Sequence, residues 1–320
     1  MIIEKWKNSQ AYVIGKYHIK NNLPCQDRTF YYEKNGVKVM ALADGAGSQP
    51  KSQFGAEVVC VETCKLLSKN FDDFLLYFEY QLTDPDKHKE LMLKLSKNIT
   101  SYLINKLKAK AMELNSPIKE LSSTLLFFAI KGNHYIMGHI GDGIIAGLYS
   151  ENNSKRIKVL SEAENGAASN ITFFVPDTDS FEHLRLDFGR IENLAGVIMS
   201  SDGAADVLFS KNGIDDSTYQ LFNKFAMLTS KEYNDLLANY LSKVISNYST
   251  DDLSLNLLSL EDNDTSELND KYIAYILDDI SCSNQIIRKS QYCYYLDSSI
   301  EPSKTEFNNV NDVRRYLNWN

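Results

Sequence analysis

The chain has 320 residues with ordinary globular proportions, 43% hydrophobic and 24% charged, which excludes disorder throughout. Its net charge of −8 argues against a nucleic-acid binder driven by bulk charge and does not exclude an enzyme that collects cations. The start, MIIEKWKNSQ, has no apolar core of a secretory signal, and no apolar run reaches membrane-spanning length. Five cysteines without a CxxC pair point to reduced thiols and a cytoplasmic location with no membrane partner.

In chain order, Val37 to Ala43 is a continuous apolar run that stops at Asp44-Gly45, as a buried strand entering a turn does. Ser52 to Lys69 has helical spacing, with Phe54, Val58, Val61 and Cys64 on one face and Ser48 or Ser52 as N-cap. Cys60 and Cys64 then belong to an apolar stripe rather than a redox pair. A second helix is predicted over Lys87 to Leu114, striped by Met92, Leu95, Ile99, Tyr102 and Leu107.

Leu125 to Ile130 and Tyr135 to Ile140 flank Lys131-Gly132-Asn133 and read as a hairpin. Ile144 to Tyr149 reads as a further strand. The sequence Gly141 to Ala146 formally fits a dinucleotide fingerprint, but that motif needs a following helix, and the residues that follow are β-like. Ile171 to Val175 and Leu184 to Phe188 are expected strands around a polar loop. Gly196 to Ser200 is another, ending in Ser201-Asp202-Gly203. Tyr233 to Val244 is an amphipathic helix, Leu260 to Asp270 an acidic loop, and Lys271 to Leu277 a strand that runs into Asp278-Asp279. Without a Pro/Gly/Ser-rich linker, residues 1–282 read as one domain and 283–320 as a C-terminal extension.

Three apolar runs thus stop on an aspartate: Asp44, Asp202 and Asp278. Any one of them could be an ordinary turn former. Their recurrence suggests carboxylates gathered at one rim, where mutual repulsion is relieved by a bound divalent cation. Oxygen-only donors favour a hard ion such as Mg²⁺ or Mn²⁺.

The motifs, in order, are His18 to Asp27 (HIKNNLPCQD), Asp44-Gly-Ala-Gly-Ser48, Ser122-Ser-Thr124, Gly138-His-Ile-Gly-Asp142, Glu164-Asn-Gly166 with Asn170 to Phe174, Ser201-Asp-Gly203 and Asp278-Asp-Ile-Ser281. On these residues the chain resembles the bacterial branch of the PPM/PP2C metal-dependent protein phosphatases.

The resemblance implies an α+β fold with four α/β/β/α layers, a central antiparallel β-sandwich flanked by helices. It implies hydrolysis of phosphoserine and phosphothreonine by a metal-activated water, without a covalent intermediate. Two Mn²⁺ or Mg²⁺ ions per site are implied. Asp44 would bridge them, Gly45 would give its carbonyl, and Asp202 and Asp278 would hold one ion. Asp142 matches the acid of an additional, weaker metal, and Asp27 an acid that orients water.

Gln26 stands where many members have a glutamate ligand, and Ala46 where eukaryotic members have a general-acid histidine. Asn22 stands at the usual place of a phosphate-binding arginine, and Lys20 is the substitute in reach. These departures leave a catalytically weak pseudophosphatase, acting as a phosphoprotein-binding module, as the alternative. The implied partners are a phosphoprotein substrate and a cognate serine/threonine kinase. Ser161 to Asp187, with Asp177, Asp179 and His183, matches the family's variable flap.

Overall fold

The computed structural model describes residues 6–77, 84–151, 154–164, 172–210, 213–214, 216–225 and 228–260. Among them are two five-stranded sheets, both antiparallel throughout. The first has the order β1 (Trp6–Val13), β12 (Leu253–Leu260), β9 (Leu194–Ser200), β6 (Ile144–Glu151), β7 (Ser154–Ser161). The second has the order β2 (Arg28–Lys34), β3 (Val37–Ala43), β4 (Leu125–Lys131), β5 (His134–Ile140), β8 (Arg185–Arg190).

The apolar runs are continuous because both faces of the central strands are covered. In β3, Val39, Ala41 and Ala43 face the helices α2 (Ser52–Leu75) and α3 (Pro85–Glu113), while Met40 and Leu42 face the other sheet. In β4, Leu125, Phe127 and Ala129 point to the helices, and Leu126, Phe128 and Ile130 point between the sheets. A period of two inside an unbroken apolar run is what a strand buried on both sides requires. The first sheet is covered on its outer face by α7 (Ser230–Lys243) and α6 (Asp216–Phe225), through Tyr233, Leu237, Tyr240, Leu221 and Phe222. Four layers result, as the resemblance implied.

The layer between the sheets is not wholly apolar. Asn256 of β12 is fully buried, and its amide nitrogen lies 3.1 Å from Ala41 O and 3.3 Å from Phe30 O in the opposite sheet. Its Oδ1 accepts from Asn8 Nδ2 at 2.6 Å. This bridge fixes the offset of one sheet on the other.

Several elements depart from the sequence reading. The helix expected to end at Lys69 runs to Leu75 as α2, with a kink at Asn70 (φ −118°, ψ 15°). Its N-cap position is Lys51, not a serine. Of the strand expected over Ile171 to Val175, Ile171 lies outside the described residues, and 172–175 form no strand: Thr172 makes an isolated bridge and Val175 lies in a turn. Six strands among the described residues were not anticipated, β1, β2, β7, β12 and the two-stranded pair β10 (Phe209–Ser210) and β11 (Gly213–Ile214), nor were the short helices α1 (Lys16–Asn21) and α4 (Ser180–His183). Gly141 to Ala146 leads into β6, in agreement with rejecting the dinucleotide fingerprint. His134 and His139 both lie on β5, five apart and so on opposite faces. Cys60 and Cys64 are buried free thiols in the core under α2. The expected loop and strand over 260–277, the boundary at 282, Asp278 and the extension 283–320 lie outside the described residues apart from Leu260. No helix among the described residues is long and apolar enough to cross a membrane.

Candidate metal centre

The site is assembled from chain turns at one end of the sandwich. Asp44 follows β3, and its backbone is clamped to Thr124: Asp44 N donates to Thr124 Oγ1 at 2.9 Å, and Thr124 N donates to Asp44 O at 2.8 Å. Gly45 bridges to Ser123 in antiparallel fashion. A Cβ at Gly45 would sit 2.8 Å from the Ser52 side chain and 2.9 Å from Gln26 O, so only glycine lets the turn close here.

Asp142 occupies the turn between β5 and β6, and Asp202 opens the helix α5 (Asp202–Leu208) directly after β9. Gly203 N donates to Asp202 Oδ1 at 2.6 Å and holds the carboxylate in place. Asp44, Asp142 and Asp202 each bring one carboxylate oxygen within 4.8 Å of the other two.

Such a gathering has an electrostatic cost. Burial pushes Asp44 well above the ordinary carboxylate range, and the charges of Asp27, Asp202, Asp251 and Asp142 push it further. Asp202 is raised by burial and then by Asp142 and Asp251. Asp142 is raised by burial, with Asp251 and Asp206 adding to the effect. Asp27, fully buried, is raised by burial, and the Asp252 charge adds to it while the Ser254 hydroxyl eases it.

A hard divalent cation fits this donor set. The nearby charges that act most strongly on Asp44 are all negative. Gln26, 2% exposed, donates through Nε2 to Gln49 O at 2.9 Å, while its buried Oε1 has no hydrogen-bond partner. Carboxylates plus a neutral amide oxygen are ligands for Mg²⁺ or Mn²⁺ rather than for a softer metal.

Of the residues expected from sequence, Asp44, Asp142 and Asp202 converge, with Asp27, Gln26 and Gly45 around them. Lys20 is exposed in the last turn of α1. Arg28 follows Asp27, but its guanidinium donates to Cys25 O and Asp27 O at 2.9 and 2.7 Å and rests 5.1 Å over the Tyr12 ring. Backbone carbonyls therefore already occupy this cation. Asp278 lies outside the described residues.

Sequence reasoning missed the pair Asp251-Asp252, which immediately precedes β12. Asp251 bears electrostatically on Asp44, Asp142 and Asp202. The signal in the sequence is Asp251-Asp252-Leu253-Ser254 leading into an apolar run; acids ahead of a strand look like ordinary turn formers until the fold brings them to the site.

The segment beside Asp142 is tied to its turn. Glu164 N donates to Gly141 O at 2.9 Å, and Arg185 donates to the same carbonyl at 3.2 Å. His183 Nδ1 lies 3.0 Å from Glu164 Oε1, and its ring stacks on Phe173 at 3.4 Å between centroids. Asp177 accepts from Phe174 N at 2.9 Å.

Comparison with known proteins gives the family and the fold. Residues 14–242 match the family model described as protein phosphatase 2C. The chain is 24% identical over 262 residues to serine/threonine-protein phosphatase 3 of Escherichia coli (strain K12), covering 77% of this chain and 95% of that protein. Its fold is similar to that of the serine/threonine phosphatase Stp1 from Staphylococcus aureus, with a TM-score of 0.55, 14% identity, and coverage of 81% of this chain and 96% of that one. The serine-threonine phosphatase 2C from Toxoplasma gondii is similar at a TM-score of 0.54, with 13% identity and 80% and 95% coverage.

Proposed function

The chain belongs to the protein phosphatase 2C family, and from that membership we propose how its own residues carry out metal-dependent removal of phosphate from phosphoserine and phosphothreonine. It is a serine/threonine protein phosphatase. The observation that carries the finer reading is the convergence of Asp44, Asp142 and Asp202 within 4.8 Å of one another.

In this reading Asp44 would be the ligand common to the cations, Gly45 would contribute its carbonyl, and Asp202 would hold one ion. Asp142 serves an additional one, and Gln26 offers its buried Oε1 as a neutral donor. The role that resemblance gave to Asp278 fits Asp251, whose charge acts on all three converging carboxylates. Bound Mn²⁺ or Mg²⁺ would activate a water as nucleophile and offset the charge of the phosphate oxygens.

The protein groups do the rest. Asp27, fully buried and raised by that burial, with Asp44 among its neighbours, is suited to accept a hydrogen bond or a proton from the attacking water. Burial pushes the thiols of Cys25, Cys60 and Cys64 up, so none of them is a ready nucleophile, which favours direct attack by water over a covalent phosphoenzyme. Lys20, exposed on α1, is the residue we assign to the substrate phosphate. The partner is a phosphoprotein, with a serine/threonine kinase as the source of its phosphate.

The test is hydrolysis of phosphoserine and phosphothreonine peptides with Mn²⁺, with chelator, and with Asp44→Asn. Turnover that needs metal and disappears in the variant is expected. Equal activity in chelator would overturn the reading.

A further inference from the structure

Asp252 is 2% exposed and does not belong to the converging carboxylates, yet it is heavily used. Its Oδ1 accepts from Gly15 N at 2.7 Å, and its Oδ2 accepts from Gln26 N at 2.6 Å. The Nδ1 of His18, itself 3% exposed, lies 2.8 Å from the same Oδ2. One carboxylate thus grips both ends and the middle of the segment from Gly15 to Gln26.

That segment needs an external hold. Its only helix, α1, has six residues, no side-chain N-cap, and a left-handed stop at Asn22 (φ 54°). A helix this short does not sustain itself in water. It is bound to the turn before β12 by Tyr17 N donating to Thr250 O at 2.8 Å, and by Gly15, where a Cβ would come within 2.6 Å of Asp251 and Asp252 backbone atoms. The segment leads into Gln26 and Asp27. The turn that holds it contains Asp251.

We propose that His18 and Asp252 are a positioning pair: the buried imidazole, with Nδ1 2.8 Å from Oδ2, braces the Asp252 carboxylate, which sets Gln26–Asp27 and Asp251 at the spacing the metal centre needs. Neither residue touches substrate. The proposal rests on the metal-dependent reading given above. Outer partners of this kind orient ligands, and their loss weakens metal binding more than it changes the chemistry. An anionic carboxylate this buried needs its donors, so removing one lets the turn rearrange.

The test uses the full chain and two polar variants. Asparagine places an amide N–H near the position of Nδ1, and glutamine places one near Nε2. The measurements are the half-saturating Mn²⁺ for phosphopeptide turnover, Mn²⁺ binding by calorimetry, kcat at saturating metal, and Tm. His18→Gln is expected to raise half-saturating Mn²⁺ about tenfold or more, with calorimetry moving in the same direction and kcat largely recovered at high metal. His18→Asn is expected to stay near wild type. Asp252→Asn keeps only one acceptor oxygen and so gives up the Gly15 or the Gln26 backbone bond as well; it is expected to raise half-saturating Mn²⁺ at least as much as His18→Gln. A lowered Tm with unchanged Mn²⁺ affinity in His18→Gln would make the pair purely structural and overturn the proposal. So would equal affinities in the asparagine and glutamine variants. If the wild type itself neither binds Mn²⁺ nor turns over, the metal-dependent reading fails and the pair falls with it. Normal wild-type binding beside unaffected variants sinks the pair alone.

Discussion

Gly203 lies against Asp252 so closely that a Cβ on the glycine would sit 2.5 Å from the Asp252 carbonyl oxygen. This contact joins the turn after β9, which presents Asp202, to the turn before β12, which contains Asp251. Two acids 49 positions apart in sequence are brought to one centre by the absence of a side chain between them.

Gly203→Ala should therefore separate the two turns. The methyl meets backbone, which cannot swing aside, so the expected loss is about 1–3 kcal/mol of stability. Mn²⁺ affinity should weaken in parallel. Chemical denaturation and calorimetry on the same variant check both; unchanged values in both would show that the turns tolerate more separation than the contact implies.

Asp251 and Asp278 are separable by mutation. Asp251→Asn should weaken Mn²⁺ binding and cut turnover at limiting metal by about tenfold or more, while Asp278→Asn should leave both near wild type. The reverse pattern would return the ligand role to Asp278.

The gathered carboxylates make stability depend on pH with a defined sign. Burial raises Asp27 to about 7, and Asp44 and Asp202 are raised in the same direction. In the unfolded chain these groups titrate near about 4. Between those limits the folded, metal-free protein binds more protons than the unfolded one, so its stability falls as pH rises. In chelator, Tm should decrease from about pH 5 to about pH 7.5; with saturating Mn²⁺ the trend should flatten or reverse, because the metal replaces those protons. A Tm in chelator that rises across this range would contradict the charge arrangement.

Asp44→Asn should trade function for stability. It replaces a buried ionisable carboxyl by a neutral amide in a group in which the dominant neighbours are all acidic. Metal-free Tm is expected to rise, and turnover to drop below about 1% of wild type. Differential scanning calorimetry with a phosphopeptide assay settles it.

Asn256 tests the sheet-to-sheet bridge. Asn256→Leu removes the side-chain donor to Ala41 O and Phe30 O and one of the two acceptors of the Asn8 amide, which keeps Leu257 O, in a buried layer. A loss of about 2–4 kcal/mol is expected from the unmet polar groups. A denaturation midpoint within error of wild type would mean that the bridge adds nothing net.

The sequence determined the parts of this protein in which chemistry is local. Apolar runs buried on both faces were legible as β3, β4, β5, β6 and β9 because no alternation was needed to see them. The helices α2, α3 and α7 were legible because each buries one face, which repeats apolar residues at helical spacing. Asp44 and Asp202 were visible because each ends such a run, and the motif order pointed to the family. The strands β1, β2, β7 and β12 were not legible. Their residues mix polar and apolar side chains because they lie at sheet edges or, like Asn256, bridge the layers. Tertiary structure alone decided that Asp251 and Asp252 meet the site, since β12 pairs with both β1 and β9 and so carries its leading turn to the end where Asp202 sits. It also decided that Asp252 serves as an anchor: a carboxylate's role depends on which donors fold around it, and Gly15, His18 and Gln26 reach it only through contacts made across more than two hundred residues of chain.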